Sequence, residues 1–156
     1  MDKVKVGVLG LRRGLSHLRN FLNTQEAEVI GVADRVKQWR DRAAEAVGKM
    51  DRKGIDFASE FEELLEMRPD AVVIASNGRQ QAAQAIQAME AGCHVLSEVP
   101  GAFTQEEIAH IAMTCQRTGK QYMLAENSSF MGFLRYWRKW VTEGRFGAIS
   151  LADGEY

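Results

Sequence analysis

Apolar positions along this chain follow two alternating rhythms. In the first, short runs are continuously apolar or switch between apolar and polar at every residue. These are Val4–Leu9, 28–33, 71–75, His94–Ser97 and 121–125, with a weaker one at 55–57. Such runs predict strands. The run 71–75 follows Pro69-Asp70, a turn signal, and is apolar throughout, as a strand covered on both faces would be. In the second rhythm apolar residues recur every three or four positions, the period of a helix with one buried face. Leu15, Leu18, Phe21 and Leu22 follow the first strand in this way, and Phe61, Leu64 and Leu65 do so before the run at 71–75.

Helix boundaries are marked by capping chemistry. Ser59 with Glu62, and Thr104 with Glu107, have the spacing of a capping box. The helical stretches 79–91 and 104–118 run into Gly92 and Gly119, where a glycine can take the left-handed conformation that ends a helix. Regular β-α-β-α order predicts an α/β fold, a doubly wound parallel sheet of the Rossmann type with right-handed crossovers. The expected domain is 1–125. Residues 126–156 read differently. A helix over 133–143 carries Phe133, Trp137 and Trp140 at i, i+4 and i+7, and is expected to dock as an amphipathic helix. Gly144 to Gly147 break it, and 149–156 begin a strand. This tail is expected to be a linking helix and the first strand of a truncated second α/β domain.

Composition narrows the classes. The chain has 156 residues, 46% hydrophobic and 26% charged, which argues against disorder. At this length about 70% of the unfolded surface can be buried, enough for one core. Twenty Lys and Arg against 21 Asp and Glu give a charge of -1, so no nucleic-acid partner is expected. The basic and aromatic side chains of the tail, Arg135, Arg138, Lys139 and Arg145 among Phe130, Phe133, Tyr136, Trp137 and Trp140, read as part of the docked helix. Cys93 and Cys115 are far apart, and His17, His94 and His110 are scattered, so no disulfide framework and no metal site is expected. Both cysteines read as small apolar residues. No secretory leader and no membrane span is evident, and the expectation is a soluble cytoplasmic protein with no membrane partner.

Candidate chemistry sits where the first strand ends. Gly10-Leu11-Arg12-Arg13-Gly14 joins strand to helix. Glycine there permits a tight bend and close backbone approach, and the helix N-terminus offers free N–H groups and a positive dipole end to a pyrophosphate. Asp34 ends the second strand, where a carboxylate accepts hydrogen bonds from the adenosine ribose. Arg12 stands where a full G-x-G-x-x-G has its middle glycine. The alternative for Gly10 and Gly14 is turn geometry and helix–sheet packing alone. Arg12 and Arg13 either pair with phosphate or are merely solvated. Arg35, beside Asp34, leaves NADP open, although the carboxylate would repel a 2′-phosphate and so favours NAD.

The segments Val6-Gly7-Val8-Leu9-Gly10-Leu11, Ala71-Val72-Val73-Ile74-Ala75-Ser76, Glu90-Ala91-Gly92-Cys93-His94-Val95-Leu96-Ser97-Glu98-Val99-Pro100 and Glu143-Gly144-Arg145-Phe146-Gly147 resemble, in this order, the N-terminal domain of the glucose–fructose oxidoreductase, inositol dehydrogenase and rhizopine catabolism family (Gfo/Idh/MocA). The resemblance covers essentially the whole chain. It implies an NAD(P)-dependent oxidoreductase of a sugar- or polyol-like hydroxyl, of which this chain is the cofactor half. It also implies a second domain carrying most of the substrate site and a bend at Pro100 that often includes a cis peptide. A homo-oligomer is expected as well, because an uncovered apolar tail would favour self-association. The isolated chain is expected to have no turnover.

The departures bear on catalysis. The family's Glu-Lys-Pro reads Glu98-Val99-Pro100, and in many members that lysine contacts cofactor and substrate and assists proton movement. The usual histidine after the central strand is Gln81. The usual Asn-Arg-Arg-Phe reads Asn127-Ser128-Ser129-Phe130, and His17 falls at a common downstream histidine. The resemblance implies pyrophosphate over Gly10 to Gly14, ribose on Asp34, and nicotinamide near Ser76, Asn77, Glu98 and Val99, with Ala75, Gln81 and Asn127 also at the cofactor. Glu98 and Glu126, at strand ends, are the candidate catalytic carboxylates. Structural roles, a loop cap for Glu98 and backbone hydrogen bonds for Glu126, are the alternative. Two further functions stay open: an NAD-dependent glycosidase-like hydrolase, and a non-catalytic NAD(P)-binding or dimerising module.

Overall fold

Each strand-forming run pairs with another in the computed structural model, which describes residues 2–153. The order along the chain is β1 (Val4–Leu9), α1 (Leu11–Asn23), β2 (Ala27–Ala33), α2 (Lys37–Lys49), β3 (Asp56–Ala58), α3 (Phe61–Glu66), β4 (Ala71–Ile74), α4 (Gly78–Glu90), β5 (His94–Ser97), α5 (Gln105–Thr118) and β6 (Tyr122–Leu124). Among the described residues six strands form one sheet in the order β3-β2-β1-β4-β5-β6, and every pairing is parallel. The expected doubly wound Rossmann-type sheet is therefore present.

Side-chain alternation along the strands sorts the core into two layers. Val6, Val8, Val29, Val32 and Val73 pack with Leu11, Leu18 and Leu22 of α1 and Ala43 and Val47 of α2. Leu9, Ala33, Val72, Ile74 and Val95 pack with Phe61 and Leu64 of α3, four residues of α4 (Ala82, Ala85, Ala88 and Met89), and Ile111 of α5. Neighbours such as Val72, Val73 and Ile74 point to opposite layers, the period of two that a strand buried on both faces imposes. All three are at most 1% exposed, so the continuous apolar run is fully used.

Helix boundaries hold with three differences. First, α1 starts at Leu11, at once after Gly10, so the strand-to-helix turn is a single residue and Arg12, Arg13 and Gly14 lie in the first helical turn. Second, α2 carries no clear large-apolar rhythm. It buries only Ala43, Ala46 and Val47, small residues that leave a narrow stripe. Third, the capping box of α3 is Glu60 with Glu63, one residue beyond the Ser59–Glu62 pair. The Glu63 carboxylate accepts from the backbone amides of both Ser59 (2.8 Å) and Glu60 (3.1 Å). The Thr104–Glu107 box of α5 forms as expected, and Gly92 and Gly119 take positive φ beyond α4 and α5.

The chain divides into two compact units, Met1–Ala125 and Glu126–Tyr156. In the second, a short 3-10 turn at Ser128–Phe130 precedes α6 (Gly132–Thr142). Phe133 and Trp137 meet edge to face with centroids 5.4 Å apart, and Trp140 meets Phe146 at 6.1 Å. No residue of α6 is buried. The strand expected at 149–156 does not form over 149–153, and Gly154, Glu155 and Tyr156 lie outside the described residues. A strand gets its backbone hydrogen bonds from a neighbour, and none pairs with 149–153 among the described residues.

Candidate functional site

The order in which strands are added to the sheet reverses between β1 and β4. From β1 the chain winds outward through β2 to β3, then returns to β4 on the other side of β1. Open α/β sheets bind ligands at such a switch point, beyond the carboxyl ends of the strands. Here the turns after β1, β2 and β4 enclose a groove of about 650 Å³ lined by Gly10, Arg12, Arg13, Asp34, Val36, Trp39, Ala75, Ser76 and Asn77.

The floor is set by close backbone approach. Gly10 has φ +83°, and a Cβ on it would lie 2.6 Å from the carbonyl carbon and oxygen of Ala75 and from the amide of Ser76. Only glycine fits this turn, because both the conformation and the space exclude a side chain. Gly14 is a packing glycine. Its Cβ would come 2.9 Å from Val8 Cγ1, so it brings α1 down onto β1, and it does not line the groove. Leu11 is likewise buried in the core.

Asp34 does two local jobs. One carboxylate oxygen accepts from the amide of Leu11 (2.7 Å) and the other from the amide of Val36 (2.8 Å). It thereby caps α1 from another strand and fixes the start of the β2–α2 turn. Each carboxylate oxygen can accept more than one hydrogen bond, so capacity for ribose hydroxyls remains. The α1 amides of Arg12 and Arg13 have no carbonyl one turn back within the helix. With the Arg12 guanidinium, which has no polar partner among the described residues, they give the groove donors suited to a pyrophosphate. Arg35 is turned to Glu60, Nε to Oε2 at 2.9 Å, and Arg40 donates to the carbonyls of Asp34 (2.5 Å) and Arg35 (3.1 Å). A donor set of helix amides and guanidinium beside a carboxylate fits a dinucleotide with free ribose hydroxyls.

Beyond β4, the Ser76 hydroxyl donates to Gln84 Oε1, and the Asn77 side chain caps α4 by accepting from the Arg79 amide (3.1 Å). Ala75 is buried beneath them. Gln81 does not line the groove. It is 2% exposed, and its amide bridges two loops, donating to the Ser76 carbonyl (3.2 Å) and accepting from the Gly101 amide (2.9 Å). The sequence pattern marked a polar residue there without showing that both ends of its amide are engaged.

Glu98 lies at the carboxyl end of β5, 6% exposed. One of its oxygens, Oε1, contacts both His17 Nε2 (2.7 Å) and Arg13 Nε (3.2 Å), tying two successive turns of α1 to β5. Val99 is exposed, and the Val99–Pro100 peptide is cis. Glu126 and Asn127 belong to the second unit. The Glu126 carboxylate accepts from the Ser128 amide (2.8 Å), and Ser128 holds its pKa below the ordinary value. A general base near neutrality needs the opposite shift. Burial pushes the Cys93 thiol up, away from a reactive thiolate. Among the described residues no cluster of three or more His, Cys, Asp or Glu could hold a metal.

Val36 and Trp39 were not among the candidates read from sequence. They enter the groove because α2 starts directly after Asp34, and α2 has too weak an apolar pattern to announce itself. The contact of His17 with Glu98 was equally invisible, since 81 residues separate them.

Residues 4–126 match the oxidoreductase family with an NAD-binding Rossmann fold (Gfo/Idh/MocA), and the chain belongs to that family. A glycosyl hydrolase family 109 protein of Shewanella baltica strain OS155 is 31% identical over all of this chain. An alpha-N-acetylgalactosaminidase of Shewanella oneidensis is 32% identical. The chain spans about a third, 35%, of the length of these two relatives. Among solved structures, scyllo-inositol dehydrogenase from Lactobacillus casei with bound NAD(H) and scyllo-inositol superposes with a TM-score of 0.84 at 26% identity, over 96% of this chain and 44% of that one. The WlbA dehydrogenase of Bordetella pertussis, in complex with NADH and UDP-GlcNAcA, gives 0.83 at 25% identity, over 94% and 44%. No helix among the described residues is long and apolar enough to cross a membrane.

Proposed function

We propose that this chain is the cofactor-binding part of an NAD-dependent oxidoreductase acting on a sugar- or polyol-like hydroxyl. The observation that carries this is the groove at the β1/β4 switch point, where helix amides and Arg12 face Asp34 across a glycine turn. Bound there, NAD supplies hydride transfer. The chain's own residues hold and orient it: the first turn of α1 takes the pyrophosphate, and Asp34 takes the ribose hydroxyls. Ser76 and Asn77 border the nicotinamide end, with Val99 where the family lysine would stand. NAD is favoured over NADP because Arg35 and Arg40 are both engaged and Asp34 presents negative charge to a 2′-phosphate. Glu98, held by His17 and Arg13, acts as a positioning residue for the first turn of α1. Substrate groups and a proton acceptor come from beyond this chain, so the isolated chain binds cofactor without turnover. Where no second domain covers them, the exposed Phe133, Tyr136 and Trp137 favour self-association.

Calorimetric titration with NAD, NADH, NADP and NADPH tests this reading. Micromolar binding of an NAD form, lost in Asp34→Ala, supports it; no binding of any of the four, to this chain or to a longer one, overturns it.

A second reading is favoured by the relatives: a glycosidase that uses NAD without net oxidation. The missing lysine at Val99 and the similarity to family 109 hydrolases support it. Tightly retained NAD, with sugar release and no accumulation of NADH, would separate it from a dehydrogenase.

A further inference from the structure

We infer that Trp39 is the wall against which the adenine ring of the dinucleotide stacks. The inference rests on the dinucleotide reading of the groove and names a residue for its adenosine end. Strand order gives the direction, since β2 lies on the side of β1 away from β4. Gly10, Arg12 and Arg13 stand at the pyrophosphate side, and Asp34 marks the ribose. The base leaves the ribose on the side away from the phosphates. Val36 and Trp39, from the turn after β2 and the first turn of α2, also line the groove.

Three features suit them to a purine. Val36 is half-exposed, an apolar side chain with no core role, and its amide is bonded to Asp34 itself, so ribose anchor and base wall share one turn. Trp39 packs partly against the core layer of α1 and α2, so its indole is fixed before any ligand arrives. The Arg42 guanidinium lies 4.6 Å from the Trp39 ring centroid, a cation–π contact that further restrains the ring. A rigid, partly exposed indole beside a ribose-binding carboxylate gives an adenine an aromatic surface at little ordering cost.

The chain has three tryptophans, so Trp137→Phe with Trp140→Phe leaves Trp39 as the single indole reporter. In that background ADP-ribose, which lacks nicotinamide, is expected to quench Trp39 emission along the binding curve that calorimetry gives. Nicotinamide mononucleotide, which lacks adenine, is expected to leave the emission unchanged. In the otherwise unaltered chain, Trp39→Ala is expected to weaken ADP-ribose and NADH about tenfold and Trp39→Phe far less, from the size of base–aromatic stacking. The quench needs no change at Trp39, so instability of the alanine variant cannot mask the answer. NADH binding that depends on Asp34, with no quench by ADP-ribose, would overturn the role of Trp39 and leave the dinucleotide reading standing. Failure of both NADH and ADP-ribose to bind would overturn both.

Discussion

Gly10 and Gln81 show how single residues hold the turns around the groove in place. At Gly10 a methyl group would meet the backbone of Ala75 and Ser76 at 2.6 Å, and the left-handed φ adds its own cost. Gly10→Ala is expected to cost more than about 2 kcal/mol, read as a fall in the denaturation midpoint. It should also weaken NADH by prising the two turns apart. Gln81 is isosteric enough with leucine to keep the packing. Gln81→Leu, however, leaves the Gly101 amide and the Ser76 carbonyl without their partner, at about 1–3 kcal/mol. Its unfolding in urea should shift to lower concentration with an unchanged slope. Unchanged stability would show that water replaces the amide. Glycine at position 10 was readable from sequence, because a strand-to-helix turn needs it. The bridging role of Gln81 was not, because it depends on two loops 25 residues apart meeting over one side chain.

At the scale of elements, the start of α1 is the part of the candidate site that is held from two sides. Its cap comes from Asp34 on β2, and its flank is held by Glu98 on β5 through His17 and Arg13. On the proposed reading, the turn after β2 sets cofactor choice. Arg35 is drawn to Glu60, the residue that caps α3. Glu60→Gln keeps an acceptor for that cap and removes the charge that holds Arg35. The preference for NADH over NADPH is then expected to narrow by up to about fivefold, the scale of an exposed ion pair. Side-by-side titrations of the two cofactors measure it, and an unchanged ratio would show that Asp34 alone sets the choice.

At the scale of the whole molecule, six carboxylates among the described residues are perturbed in the same direction. Glu26, Glu45, Glu62, Glu63, Glu106 and Glu126 are all held below the ordinary value of 4.5, chiefly by hydrogen bonds to their charged form. A carboxylate with a depressed folded-state pKa contributes stability that is present above its unfolded pKa and is lost as pH falls through the folded one. The melting temperature is therefore expected to be flat above about pH 5 and to fall on acidification below 4.5. Thermal melts from pH 7 to pH 3 test this. A midpoint that rises with acid would mean these bonds do not persist in solution.

Sequence alone determined the alternation of strand and helix, the parallel sheet, most helix ends and the family, because those depend on local patterning and short-range capping. The turn glycine and Asp34 were legible too, since the chemistry of a strand-to-helix turn is confined to a few neighbouring positions. Tertiary structure alone decided which side chains share a face of the groove. Parallel crossovers bring Leu11 to Asp34, Arg13 and His17 to Glu98, and Trp39 to the groove that Gly10 and Asp34 line. It also decided that α2, with only small buried residues, is a helix, and that 149–153 is not a strand, because a strand exists only with a partner to pair with.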